Sequence, residues 1–78
     1  MTNKRVALLE ALDHLDKGDW QAAHTIVQSG ESKAACWAHG IVHVMEGDLN
    51  NARYWFGRAQ RVFSEEPARE IAELRGTL

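Results

Sequence analysis

The chain has little of what holds small proteins together without a hydrophobic core. Cys36 is its one cysteine, so no internal disulfide can form, and the disulfide-framed secreted scaffolds are excluded. One proline and six glycines rule out collagen-like and proline/glycine-rich low-complexity chains. No apolar run approaches the roughly 18 residues that a spanning helix needs. No apolar signal segment follows Met1 either, so a reducing cytoplasm is the expected compartment, with no membrane partner. Nor is there an excess of basic charge. Nine Lys and Arg stand against eleven Asp and Glu, for a net charge of -2 and a pI near 6.0, and nucleic acid is not an expected partner. Glycine-rich phosphate loops and serine nucleophile elbows are missing, and no segment alternates with the period of a strand.

What is present is the composition of one ordinary globular domain, 1–78, with 45% hydrophobic and 26% charged residues. A chain of 78 residues buries only about 60 to 65% of its unfolded surface, so close helix packing or self-association, a homodimer in the simplest case, is expected.

The hydrophobic spacing is helical throughout. Val6, Leu8, Leu9, Leu12 and Leu15 predict a first helix from about Lys4 to Lys17, with Thr2 or Asn3 as N-cap and Gly18 as its stop. Asp19 then caps a second helix over about 20–28, which "SGES" breaks with Gly30 in a C-cap role. A third helix covers the stretch from Lys33 to Glu46, and "EGD" leads into a fourth from about Leu49 to Phe63. Pro67, after Ser64 and two glutamates, opens a short last helix carrying Ile71 and Leu74. Short connections make neighbouring helices antiparallel. The expected architecture is all-α: hairpin one at about 4–29, hairpin two at about 32–63, and a capping helix at about 65–75.

The two hairpins repeat each other. At an offset of 29, His14 falls on His43, Gly18 on Gly47, Asp19 on Asp48 and Ala23 on Ala52. Leu8 and Trp37, Leu12 and Ile41, Leu15 and Val44, and Val27 and Phe56 agree in kind. "GDWQAAHTIV" and "GDLNNARYWF" resemble the second-helix opening of the tetratricopeptide repeat, with Ala23 and Ala52 as its small residue, Gly40 as the small residue of its first helix and Pro67 near the place of its closing proline. The repeat here is shorter than the ~34 residues usual in that family. Ala11 stands where Gly40 sits in the second copy. The phrases "GDWQAAH" and "HGIVHVMEGDLNNARYWF" also resemble a group of short uncharacterised bacterial proteins, a likeness that implies no activity.

Between Lys33 and Glu46 the third helix has no group charged at neutral pH except through its histidines. Cys36, His39, Gly40 and His43 fall along one side, and Trp37, Ile41, Val44 and Met45 around another. A helix apolar all round is buried all round. Gly40 then admits the fourth helix closely at Ala52, Phe56 and Ala59. His39 and His43 are read first as neutral interior groups facing that helix, each bonded to a carbonyl or side chain, because buried polar groups normally find such partners. The competing reading makes them metal ligands. Histidines at i and i+4 can reach one zinc or nickel ion, Glu46 adds an oxygen, and His24 supplies a third imidazole if folding brings the second helix over them. Cys36, within an apolar helical stretch, reads as buried and inert. Arg53, Arg58 and Arg61 beside Tyr54, Trp55 and Phe56 suggest a stacking surface for nucleotides, yet neighbouring acids make them a solvated face.

Repeat arrays of this kind leave one concave face, here lined by Leu8, Leu12, Leu15, Trp37, Ile41, Val44 and Met45. The reading that follows is a non-enzymatic protein-interaction module, without catalytic residues or cofactor, that takes a protein, helix or peptide into this groove or pairs with its own copy. The alternative is a small-ligand or metal-binding protein using His24, His39, His43 and Glu46. An apolar stripe of this size has to be covered by the last helix, a second copy or a client.

Overall fold

A computed structural model describes residues 4–78. Within them the chain is all-α, with five helices and no strand: α1 (Lys4–Asp16), α2 (Trp20–Val27), α3 (Lys33–Glu46), α4 (Leu49–Arg58) and α5 (Pro67–Thr77). The N-cap positions expected at Thr2 or Asn3 lie outside the described residues.

Local chemistry accounts for where the helices start and stop. Gly18 and Gly47 both take the left-handed conformation, at φ +80° and +92°, which a glycine adopts without the penalty a Cβ imposes. Behind them, Asp19 and Asp48 donate their backbone N–H to the carbonyls of His14 and His43, each at 2.9 Å. Their carboxylates accept from the N–H of Ala22 and Asn51 three residues on, relieving one unsatisfied donor in each first turn. The 29-residue offset in the sequence is thus an offset between two turns of the same geometry. Ser32 caps α3 in the same way through Ala35 N–H at 3.1 Å, and Pro67 sits in the first turn of α5.

Helix α3 is the axis of the molecule and packs against α1, α2, α4 and α5. Nine consecutive residues, Ala35 to His43, are buried, as a helix without a polar face requires. α3 meets α4 at Gly40, where the missing side chain makes room for Phe56. A methyl on Gly40 would lie 2.6 Å from Phe56 Cδ2 and 3.3 Å from its backbone nitrogen, and Phe56 is itself fully buried.

Helix α5 packs on both α1 and α3. It carries Ile71 and Leu74 into the same buried cluster as Leu8, Leu12, Leu15, Trp37 and Ile41. Of the three coverings the sequence left open for the apolar stripe, the last helix is the one seen here: five of the seven stripe positions are buried and Val44 and Met45 are half-buried. The polar ends of this contact explain why α5 settles there. Buried Glu70 accepts a hydrogen bond from Trp37 Nε1 at 3.1 Å, and the Arg61 guanidinium lies 3.7 Å over the Trp37 ring and 3.5 Å from Glu70. A carboxylate at this depth is tolerated only with such donors around it. Arg75 adds contacts from α5 to Asp13 and Asp16 of α1, at 3.0 and 2.8 Å.

Two local expectations change. Helix α4 ends at Arg58, not near Phe63, because Gln60 turns left-handed at φ +59° and Arg61 N–H closes back on the Phe56 carbonyl. That reversal lets Phe63 pack edge-on against Phe56, at 5.6 Å between ring centroids. Gly30 is not a left-handed cap. It permits close approach, since a Cβ there would lie 2.5 Å from Ala35 Cβ. The one thiol, Cys36, is 1% exposed on α3, its Sγ 3.9 Å from the Glu31 carbonyl.

Two glycine substitutions separate packing from propensity. Gly40→Ala should lower stability by about 1 to 2 kcal/mol, because overpacking against Phe56 outweighs the ~1 kcal/mol gain in helix propensity. Gly57→Ala, at a position in α4 with nothing within 4 Å of the added methyl, should raise stability by about 0.5 to 1 kcal/mol. Urea midpoints measure both, and a stabilised Gly40→Ala variant would show that α3 and α4 are not in close contact.

Candidate metal centre

Three imidazoles from two helices meet on one side of α3. His39 and His43, one turn apart on α3, lie with ring centroids 4.9 Å from each other. Packing of α2 on α3 brings His24 edge-on to both, at 4.8 and 5.5 Å. One ligand nitrogen from each residue lies within 4.8 Å of the other two. His39 and His43 are buried and His24 is half-buried.

Each ring is held differently. Trp55 of α4 stacks flat on His39, 3.9 Å between centroids and 11° between planes, so His39 is stacked with both an indole and the His43 ring. His43 is oriented by Glu46, whose Oε1 lies 2.8 Å from His43 Nδ1. An ionised carboxylate can only accept, so Nδ1 carries the hydrogen and the Nε2 lone pair is left to bind something else. Glu46 thus serves as the outer partner of an imidazole, the arrangement that fixes tautomer and ring plane in metal-binding histidines.

His39 is the anomaly. Its Nδ1 is buried and has no hydrogen-bond partner; among the described residues the only other such side-chain atom is Arg61 Nε. Arg61 Nε belongs to a guanidinium placed over the Trp37 ring, its central carbon 3.7 Å from the ring centroid. His39 is likewise stacked on an aromatic face, that of Trp55, but its Nδ1 lies in the ring plane with no donor or acceptor beside it. A neutral interior histidine bonded to a carbonyl or side chain, the first reading of the sequence, describes His43 but not His39. Burial, together with the neighbouring His43 and His24, pushes the His39 pKa down to about 4, so at neutral pH the ring is uncharged and its lone pair is not taken by a proton.

The arrangement is suited to a divalent transition-metal ion. Imidazole nitrogens bind zinc at about 2.0 to 2.1 Å, which places tetrahedral ligands ~3.4 Å apart. The three nitrogens, within 4.8 Å of one another, would have to draw closer to reach that spacing. Of the four residues that the sequence nominates, the structure brings His24, His39 and His43 together and sets Glu46 behind His43. His14, the repeat partner of His43, stands apart and partly exposed, its Nδ1 4.0 Å from Asp19. The sequence did not point to Trp55 as part of the site. Its only signal was an aromatic residue directly before Phe56, the residue that Gly40 admits. Comparison with protein-family models, with curated proteins and with solved structures finds no match to this chain. No helix among the described residues is long and apolar enough to cross a membrane.

The depressed His39 pKa fixes the sign of a pH effect. The unfolded histidine, at about 6.5, binds its proton more readily than the folded one. Stability should be fully present above pH ~6.5 and fall as pH drops toward 4, by at most about 1.4 kcal/mol per pH unit for this group. The groups facing His39 are His24 and His43, both of which lower its pKa, and Glu46 in turn faces His43. Urea midpoints at pH 7.5, 6.5 and 5.5 should decline in that order, and His39→Gln should flatten the decline. An equally steep decline in that variant would place the titrating group elsewhere.

Proposed function

We propose that this protein binds a divalent transition-metal ion through His24, His39 and His43. The buried Nδ1 of His39 supports this reading most directly, because an uncompensated polar atom in a core costs about 1 to 3 kcal/mol and a metal ion at the cluster gives this ring a role. An all-nitrogen set suits zinc, nickel, copper and cobalt over magnesium or calcium, which take oxygen ligands. With α5 seated over the apolar stripe, the histidine cluster is the most distinctive chemical feature the fold assembles. Two ligands come from α3 and one from α2, so binding ties the first hairpin to the second.

Ligand binding to the folded state stabilises it by about 2.7 kcal/mol at one hundred times Kd, which in a chain of this size corresponds to a Tm rise of roughly 10 °C or more. Scanning calorimetry of the full chain with zinc, nickel or cobalt should show that rise. His39→Gln and His43→Gln should abolish it and His24→Gln should reduce it severely, while His14→Gln leaves it intact. A Tm unmoved by all three metals would refute the site.

Glu46 is expected to act through His43 and not as a ligand. Glu46→Gln should weaken metal binding by about 10- to 100-fold, the usual effect of losing an outer-shell partner. Titration calorimetry measures the affinity, and an unchanged Kd would show that His43 needs no carboxylate behind it.

A further inference from the structure

Resting on that reading, we infer that the metal centre is coordinatively open and takes a small exogenous anion as its remaining ligand. The three-histidine group has no fourth member: among the described residues no other histidine, cysteine or carboxylate joins it within the same reach. Glu46 is held at His43 Nδ1 and belongs with Asp48 to a separate grouping around His43. Cys36, although on the same side of α3, has its sulfur turned to the Glu31 carbonyl.

Three protein ligands leave a tetrahedral ion one position short, the condition that distinguishes reactive zinc sites from closed structural ones. Charge specifies what fills it. All three ligands are neutral imidazoles, so a divalent ion keeps its full charge, unlike one in a thiolate or carboxylate cage. With two of its three ligands buried, such an ion is less screened than one at the surface, which favours an anion over water as its remaining ligand. Access is from the side of His24, the least buried of the three rings, whereas His39 and His43 are closed in by α3 and by the Trp55 stack. A compact anion with one oxygen or nitrogen donor, such as azide, cyanate, bicarbonate or a short carboxylate, meets this charge requirement at a single open position.

The test uses the full chain loaded with cobalt(II), whose visible bands report coordination number. Azide is the probe. Adding azide should shift the cobalt bands along a saturable curve with one anion per cobalt, and bicarbonate should reverse the shift competitively. His24→Gln should abolish the azide response or the cobalt bands themselves. If cobalt raises the Tm and gives bands that azide leaves unchanged, the centre is closed and this inference is overturned while the metal site stands. If cobalt produces neither bands nor a Tm rise, both fall.

Discussion

The contact between Gly40 and Phe56 governs more of this molecule than any other. It sets how near α4 comes to α3, and its two residues are each preceded in sequence by a residue of the histidine cluster's surroundings: His39 before Gly40 and Trp55 before Phe56. Once the phenyl ring seats over the bare backbone of residue 40, the indole one position earlier is carried onto the imidazole one position earlier, and the flat stack at 3.9 Å follows. A side chain at residue 40 would hold the helices apart, opening a gap in the core and lifting Trp55 from His39 together. Packing and candidate chemistry therefore share one constraint, and a change in the first cannot leave the second untouched.

Much of the fold was legible because its signals are local. A glycine that must turn left-handed, an aspartate that reaches its own third N–H and a proline in a first turn each act within a few residues, and Gly18, Asp19, Gly47, Asp48 and Pro67 do what their positions imply. The burial of α3 was legible for a related reason, since a helix with no charged face has nowhere to be but inside. The early end of α4 was not. No glycine or proline marks residue 60, and the left-handed Gln60 goes with the return of Phe63 onto Phe56, a contact whose geometry no local pattern encodes.

Contacts between helices were legible only in part. Spacing put His39 and His43 on one face, but whether His24 reaches them depends on how α2 crosses α3, which periodicity does not contain. Its one hint was an imidazole set among Ala23, Ile26 and Val27. The covering of the apolar stripe was likewise a requirement with an undetermined occupant. The side chains that settled it were polar: Trp37 needs an acceptor for its indole N–H, and Glu70 supplies one from α5 at a depth where a carboxylate must be partnered. Three imidazoles in so small a core are a departure from apolar packing, and the stacking of His43, His39 and Trp55 shows how they are accommodated, as flat rings that fill volume like aromatics.

The burial of Cys36 has a use of its own. A chain with one thiol, 1% exposed on the helix that every other helix touches, carries a built-in clock for its own breathing. A thiol reagent cannot reach the sulfur until α3 is uncovered, so labelling proceeds only through openings of the central helix. When reclosing is fast relative to reaction, the labelling rate gives the free energy of that opening under native conditions; when reaction is faster, it gives the opening rate itself. The same single atom therefore reports, without mutation or attached probe, how tightly α1, α2, α4 and α5 hold the helix at their centre.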